Sequence, residues 1–332
     1  MSCESLLKKS LPLINAFEIR QVEYIQSLWN DYGKIIRINT NSPLHPIIIG
    51  KYVKLEKKDH HPRGWNTHNS HQRKIRSYNV ELNFYQDYSN LLNQETKRLV
   101  PKYLGSKKIK NELIFLLEDL DELGFVERKN KVSREEAFAC LSWLASFHAQ
   151  YINVHPKNLW KIGTYWHLDT RRDELAKIDD DQIKCAAPHI NTKLNGTKYK
   201  TLVHGDAKIA NFCFNPISGD VAAVDFQYVG GGCGIKDVAY FLGSAVDEEN
   251  LKKWENDLVN YYFKELTQRI DNNDKKINLN QLESDWRELW PFAWADFYRF
   301  LMGWRPGHWK INSYSKKMFN TAVRKLKIDY GY

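Results

Sequence analysis

The chain has 332 residues, enough for one large domain or for two lobes that each bury a sizeable core. Hydrophobic residues make up 42% and aromatic residues 13% of the chain, which excludes an intrinsically disordered protein. The net charge of +9 favours an anionic ligand, such as a phosphate ester, a nucleotide or a nucleic acid. Because the basic residues are spread along the chain and form no DNA- or RNA-binding motif, we expect no nucleic-acid partner.

The cysteines and the apolar segments predict the cellular compartment. The five cysteines are odd in number and lack CxxC spacing, which argues against a disulfide framework or a zinc site and favours a reducing environment. The N-terminal segment MSCESLLKKSLPLIN lacks the apolar core of a signal peptide. No apolar run approaches the roughly 18 residues needed to span a bilayer. We therefore expect a cytoplasmic protein with no membrane partner.

The first hundred residues are predicted to be rich in β-strands. The segment QSLWNDYGKIIRINT contains the turn residues Asn30, Asp31 and Gly33 between two apolar runs, which is typical of a hairpin. A second β-branched run, HPIIIGKYVKLE, is followed by the polar segment KKDHHPRGWNTHNSHQRK, which has no periodicity and predicts a long loop. A helix is then predicted in SYNVELNFYQDYSNLL, and a buried strand in ELIFLLEDLDELGF ends in an acidic turn.

The remainder of the chain is predicted to be mainly helical. The segment SREEAFACLSWLASFHAQYI predicts a long amphipathic helix that begins with a capping box of Ser133 and Glu136. The segments LVHGDAKIANFCF, VAAVDF and VGGGCGIKD come next, and helices continue to the end. We therefore predict an α+β protein with two lobes and a cleft between them. The strand-rich N-terminal lobe would span residues 1–119, and the helical C-terminal lobe residues 120–332.

Several polar residues interrupt the apolar segment LVHGDAKIANFCF, and buried polar groups cost free energy unless they are hydrogen-bonded or bind a ligand. Asn211 follows Asp206 by five residues, and Asp225 follows fourteen residues later at the end of a strand. One loop and a returning hairpin can bring these three side chains together. Two carboxylates and an amide oxygen facing one cavity predict a hard cation. Mg²⁺ prefers such oxygen ligands, with substrate phosphates completing its coordination shell.

The sequence HGDAKIAN followed by VDF is similar to the signature of the aminoglycoside phosphotransferase and choline kinase superfamily, whose members are related to protein kinases. Further segments resemble the ecdysteroid kinase-like branch: LWNDYGKIIRI, HPRGWNTHNSHQRK, VELNFY, LLEDLDELGF and YWHLDTR. These matches extend over most of the chain. The resemblance implies a bilobal protein-kinase-like fold. It also implies a small-molecule kinase that uses ATP and Mg²⁺ to phosphorylate a hydroxyl group.

The resemblance implies a role for each polar residue of the HGD loop. Asp206 would be the catalytic base that accepts the proton of the substrate hydroxyl. Asn211 and Asp225 would hold the Mg²⁺ ions that bridge the nucleotide phosphates. Lys208 would reach the γ-phosphate, a placement closer to protein kinases than to antibiotic kinases. His204 would hold the loop in place through hydrogen bonds.

In the N-terminal lobe, the resemblance implies that Lys51 binds the α- and β-phosphates and that Glu81, on the following helix, is its ion-pair partner. Alternatively, both residues are solvent-exposed. No GxGxxG loop precedes Lys51, so Gly33 and nearby backbone amides would have to cover the phosphates. The segment LLEDL would be the hinge. The backbone groups expected to face adenine belong to Leu117, Glu118, Asp119 and Leu120.

The histidine-rich and glycine-rich segments carry further predictions. His60, His61, His68 and His71 match no zinc motif, and they predict a flexible loop. This loop would bring Arg63, Trp65 and Lys74 towards nucleotide or substrate. The glycines between residues 230 and 234 predict either a plain loop or an analogue of an activation segment. Asp237 is predicted to cap the helix that begins near Val238.

The acceptor is predicted to bind near the C-terminal run WPFAWADFYRFLMGWRPGHWKINSY, because the superfamily binds acceptors with its C-terminal helices. Asp296 and Arg299 are three residues apart and share a helix face, where they contact the acceptor or form a structural ion pair. Trp304, His308 and Lys310 follow the helix. The aromatic residues suit either a hydrophobic alcohol or a cationic amine.

Two other functions remain open at this point. One is a metal-dependent phosphoesterase that uses His204, Asp206 and Asp225 as metal ligands. The other is a non-catalytic, kinase-like protein that only binds nucleotide. The sequence does not determine the acceptor or the oligomeric state.

Overall fold

The computed structural model describes residues 3–55, 68–93, 99–272 and 276–330. Residue contacts divide the chain into an N-terminal unit, Met1–Glu127 with Cys213–Val224, and a C-terminal unit, Arg128–Phe212 with Asp225–Tyr332. The sequence placed the boundary between residues 119 and 120. The N-terminal unit extends further because a second segment joins its core. In that core cluster Leu120 and Phe125 pack with Cys213 and Ala222.

The elements follow in chain order within the described ranges. The helices are α1 (Cys3–Lys8), α2 (His68–Asp87), α3 (Arg134–Gln150), α4 (Arg172–Ala176), α5 (Asp181–Asn195), α6 (Ile235–Ala245), α7 (Glu248–Asn272), α8 (Leu279–Glu288), α9 (Trp290–Trp304) and α10 (Ser313–Tyr330). The strands are β1 (Ile19–Ser27), β2 (Gly33–Thr40), β3 (Ile47–Lys54), β4 (Tyr103–Ile109), β5 (Glu112–Glu118), β6 (Thr201–Val203), β7 (Phe212–Phe214), β8 (Val221–Ala223) and β9 (Gly230–Gly232).

Among the described residues of the N-terminal unit, five antiparallel strands form a sheet in the order β1-β2-β3-β5-β4. The predicted hairpin joins β1 to β2, and Asn30 and Asp31 adopt positive φ in its turn, a conformation that Asn and Asp tolerate well. Successive side chains of a strand point to opposite faces, and Ile48 and Tyr52 of β3 pack into one hydrophobic core. Lys51 therefore points to the other face of the sheet.

Helix α2 begins earlier than the sequence predicts. Residues 68–74 belong to its first two turns and not to a loop. These turns are polar, so they provide no apolar periodicity, and a tertiary contact fixes them: Tyr32 Oη lies 2.6 Å from His71 Nδ1. His60, His61, Arg63 and Trp65 lie outside the described residues, so the predictions about them are not tested.

The C-terminal unit consists mainly of helices packed around α9, which is buried along almost its whole length. Helix α3 begins with the predicted capping box: Ser133 Oγ accepts from the Glu136 backbone, and Glu136 Oε2 accepts from the Ser133 backbone at 2.8 Å. Strands β6 and β9 pair antiparallel, with Leu202 opposite Gly231. The glycine-rich segment is thus a strand beside the HGD loop. No helix in the described ranges is long and apolar enough to cross a membrane.

Candidate functional site

The HGD loop begins where β6 ends, at a position that requires glycine. Gly205 has φ +79°, and a Cβ atom there would lie 2.1 Å from the carbonyl oxygen of Tyr228. Only glycine meets both conditions without strain or steric clash. The chain therefore turns sharply after His204, and this turn presents Asp206. A 3₁₀ turn of Ile209–Asn211 follows.

A buried carboxylate holds the backbone of this turn. Asp237 Oδ2 accepts from the His204 backbone N–H at 2.5 Å, and Oδ1 accepts from the Gly205 N–H at 3.0 Å. His148 Nε2 lies 3.2 Å from the same Oδ2. Asp237 is the third residue of α6, and Gly234 precedes that helix, so the prediction that Asp237 caps the helix is wrong. Its carboxylate oxygens instead accept from two buried backbone amides just beyond the end of β6.

His204 has the scaffold role that the sequence predicted. Its Nδ1 accepts from the Asp206 backbone N–H at 3.3 Å, and its ring centroid lies 4.5 Å from that of Phe226. The residue is fully buried. This hydrogen bond occupies one of the two ring nitrogens that the phosphoesterase alternative would need as a metal ligand.

The carboxylate of Asp206 is held from two sides. Lys208 Nζ donates to Oδ2 at 2.9 Å, and Tyr240 Oη donates to Oδ1 at 3.2 Å. Tyr165 Oη in turn lies 3.2 Å from Tyr240 Oη. Burial acts to lower the pKa of Lys208, but the negative charges of Asp206 and Asp225 outweigh it and raise that pKa. Lys208 therefore stays protonated, and both carboxylates lie close enough to stabilise it.

Asn211 and Asp225 provide the remaining oxygen atoms. Asn211 Nδ2 donates to the backbone carbonyl of Asp206 at 2.8 Å, which leaves its Oδ1 as the atom able to bind a cation. Asp225 has φ +70°, a left-handed conformation that typically costs a non-glycine residue about 1 kcal/mol or more. The surrounding structure holds this strained residue in place. All five residues of the HGD region to which the sequence assigned a role lie in the C-terminal unit.

The donor atoms fit a magnesium ion bound together with phosphates. The described residues contain no cluster of three or more His, Cys, Asp or Glu side chains suited to a metal. Asp225 and Asn211 offer one carboxylate and one amide oxygen, both hard donors. Mg²⁺ typically takes one or two protein carboxylates and fills the rest of its octahedron with phosphate oxygens and water.

In the N-terminal unit, Lys51 and Glu81 form the predicted ion pair. Lys51 Nζ donates to Glu81 Oε1 at 2.7 Å and to Oε2 at 2.6 Å. The two residues are only 4% and 1% exposed, which excludes the alternative that both are solvated. The ammonium also lies 5.9 Å from the ring centroids of Tyr78 and Phe115. The two residues therefore form a buried ion pair on the face of the sheet opposite the Ile48 core.

For the other residues predicted to contact the nucleotide, the structure shows their surroundings but does not test that role. A Cβ on Gly33 would lie 1.9 Å from the Tyr52 carbonyl oxygen, so close strand packing alone requires glycine there. Leu117 and Glu118 pair with β3 at the end of β5. The Asp119 carboxylate accepts from Arg37 Nε at 2.5 Å, and Leu120 is buried. The nucleotide roles of these residues stay predictions.

The predicted acceptor residues separate into two groups. Asp296 and Arg299 are almost fully buried, and Arg299 Nη2 donates to Asp296 Oδ1 at 2.6 Å. Burial acts to raise the pKa of Asp296, but Arg299 and Lys236 lower it below its usual value. This arrangement favours the structural ion pair over acceptor contact. Trp304 and His308 are partly exposed, with ring centroids 5.9 Å apart, so they remain candidates.

Sequence reasoning missed Tyr240, which donates to Asp206, and Tyr165, which reaches Asp206 only through Tyr240. Tyr240 lies three residues after Asp237, so one face of α6 holds both the backbone of the HGD loop and its carboxylate. That spacing, in the segment DVAY, is the signal that could have identified Tyr240. Tyr165 lies within the segment YWHLDTR, which was quoted only for its resemblance to the family.

The antiparallel sheet with its Lys–Glu pair and the helical unit with its HGD loop define a protein-kinase-like fold. The solved structure of an amicoumacin kinase with AMP-PNP and Ca²⁺ has a TM-score of 0.56 at 14% identity, and the match covers 99% of this chain and 94% of that one. A microcompartment-associated aminopropanol kinase has a TM-score of 0.52 at 13% identity, with 98% of each chain covered.

The sequence also matches the ecdysteroid kinase-like family over residues 58–159 and 159–273, which is more than half of the chain. The chain therefore belongs to the ecdysteroid kinase-like family. No curated protein matches it significantly.

Proposed function

We propose that this protein is a phosphotransferase that uses ATP and Mg²⁺ to phosphorylate a hydroxyl group of a small molecule. The observation that carries the proposal is the environment of Asp206. Its carboxylate is oriented by Lys208 and Tyr240, and its backbone carbonyl is bound by Asn211. Membership of the ecdysteroid kinase-like family supports the same class of reaction.

In the proposed reaction, Asp206 accepts the proton of the acceptor hydroxyl. The acceptor oxygen forms a bond to the γ-phosphorus, the bond to the bridging β–γ oxygen breaks, and ADP leaves with that electron pair. The transition state of such transfers is loose, so the protein contributes mainly orientation and charge stabilisation. Lys208 would stabilise negative charge on the transferred group, while Tyr240 keeps the base oriented.

Charged and polar side chains that are held in place by their neighbours would bind the nucleotide. Lys51, held by Glu81, would bind the α- and β-phosphates. Asn211 Oδ1 and the Asp225 carboxylate would hold Mg²⁺, which when bound neutralises charge on the phosphate oxygens. The left-handed backbone of Asp225, with φ +70°, supports a functional role for this residue, because such strain is concentrated at functional sites.

The test is incubation of the protein with Mg·ATP and a metabolite extract, followed by mass spectrometry for a product heavier by one phosphoryl group. Asp206→Asn should lower turnover by about 10²–10⁴ because the base is lost, while calorimetry should still show nucleotide binding. Asp257→Asn, an exposed aspartate of α7, is the matched control and should behave like the wild type. Near-normal turnover of Asp206→Asn would refute the assignment of the base.

The role of Asp225 is tested separately. Asp225→Ala should abolish the dependence of nucleotide affinity on Mg²⁺, because a metal ligand is removed. Unaltered affinity for Mg·ATP in calorimetry would contradict the proposed metal site.

A further inference from the structure

The ammonium of Lys310 lies in a cage of aromatic rings. Its Nζ is 4.6 Å from the ring centroid of Tyr240 and 5.5 Å from the centroids of Phe297 and Trp309. All three distances are within the range of a cation–π interaction. Within the described ranges, no carboxylate forms a salt bridge with this Nζ. The rings of the cage are therefore its main direct partners.

The cage lies beside the proposed catalytic base. Tyr240 contributes its ring to the cage and its hydroxyl to the hydrogen bond with Asp206. Burial is the main cause that lowers the pKa of Lys310 to about 8. The negative charge of Asp206 acts to raise this pKa, and the positive charge of Lys208 acts to lower it. Lys310 is thus close enough to sense both residues, and it is still mostly protonated at pH 7.

The segment between α9 and α10 holds Lys310 in this position. His308 Nδ1 accepts from the Lys310 backbone N–H at 3.2 Å, and the His308 carbonyl accepts from the Ile311 N–H at 2.9 Å. The His308 ring in turn lies 5.9 Å from that of Trp304. Trp309 is 65% exposed, so one wall of the cage is accessible from solvent.

We propose that Tyr240, Phe297 and Trp309 form a cation-binding cage that Lys310 fills from within the chain, and that Lys310 thereby selects acceptors without a positive charge. This inference rests on the proposed function. Aromatic cages bind ammonium groups through the negative faces of their rings. Here that capacity is already used, and an incoming ammonium would meet the charges of Lys310 and Lys208. Of the two acceptor classes, we therefore expect the hydrophobic alcohol and not the cationic amine.

The experiment compares two probes of equal shape, choline and 3,3-dimethylbutan-1-ol, in which carbon replaces the charged nitrogen. Binding is measured by calorimetry and by tryptophan fluorescence for the wild type, Lys310→Ala and Lys310→Arg. Lys310→Ala removes both the charge and the side chain that fills the cage, so it should bind choline about tenfold or more tightly than the wild type. Its affinity for the neutral probe should change less than threefold, and Lys310→Arg should behave like the wild type.

A choline affinity of Lys310→Ala no higher than that of the wild type, including undetectable binding to both, would overturn the inference. Circular dichroism and the unfolding temperature verify that the variants are folded, and Lys310→Gln provides a second neutral replacement. Because these measurements need no nucleotide, the cage stands if choline binding rises but no phosphoryl transfer is found. If the wild type phosphorylates choline as well as the neutral probe, the phosphotransferase stands and the selection by Lys310 falls.

Discussion

Removing the carboxylate of Asp237 should destabilise the C-terminal unit and loosen the loop that carries Asp206. The side chain is fully buried and accepts hydrogen bonds from the backbone amides of His204 and Gly205. His148 Nε2 also lies 3.2 Å from its Oδ2 atom. Asp237→Asn keeps one acceptor oxygen and turns the other position into a donor that faces an N–H group.

The magnitude follows from the number of hydrogen bonds that are lost. A hydrogen bond to a charged group contributes about 1.5–3 kcal/mol, and an unpaired buried donor costs a similar amount. Asp237→Asn loses one such bond and should lower the free energy of unfolding by about 2–3 kcal/mol. Asp237→Ala loses the hydrogen bonds to both amides and should lower the free energy of unfolding by about 3–6 kcal/mol. This is a large part of the typical 5–15 kcal/mol that stabilises a folded domain.

The assay is urea and thermal unfolding followed by tryptophan fluorescence. Nine of the eleven tryptophans lie in the C-terminal unit, so the signal reports mainly on that unit. Each kcal/mol corresponds to about 2–4 °C in the midpoint for a unit of this size. Asp257→Asn is the matched control, because an exposed ion pair contributes at most about 1 kcal/mol. Equal midpoints for Asp237→Asn and Asp257→Asn would refute the reasoning.

Two further predictions concern other buried charges. Lys51→Met removes the ion-pair partner of the buried Glu81 carboxylate and should cost about 3–5 kcal/mol in urea unfolding. The double variant Lys51→Met/Glu81→Leu should recover most of that stability without recovering ATP affinity in calorimetry; wild-type affinity would show that Lys51 binds no phosphate. His167 has its pKa lowered, chiefly by burial and also by Lys236. The unfolded chain therefore takes up a proton below its usual pKa of about 6.5, and the free energy of unfolding falls from pH 7 to pH 5. His167→Gln should reduce this fall, and an unchanged slope would contradict the argument.

Local chemistry made part of the fold predictable. The turn residues Asn30 and Asp31 predicted the first hairpin, because their side chains tolerate positive φ. The capping box of Ser133 and Glu136 predicted the start of α3, because it satisfies backbone amides within four residues. Such signals depend on neighbours in sequence, and the structure confirms both elements.

Motif spacing and resemblance to a family predicted only part of the candidate site. The buried pair of Lys51 and Glu81 was found this way. The DVAY spacing could have identified Tyr240, but the contact of its ring with Lys310 joins segments that are far apart in sequence, and no local pattern reveals it. Asp237 shows how a local signal can mislead. A carboxylate in the first turn of a helix suggests a cap, but here it accepts from the backbone amides of His204 and Gly205 in another segment.

The segment Cys213–Val224 makes the two units inseparable by any single cut of the chain. The chain leaves the C-terminal unit after Phe212, contributes Cys213 and Ala222 to the core around Leu120 and Phe125, and returns at Asp225. A fragment starting at residue 128 would carry this hairpin with its apolar residues uncovered. Recombination at one crossover point therefore cannot exchange one complete unit for that of a relative.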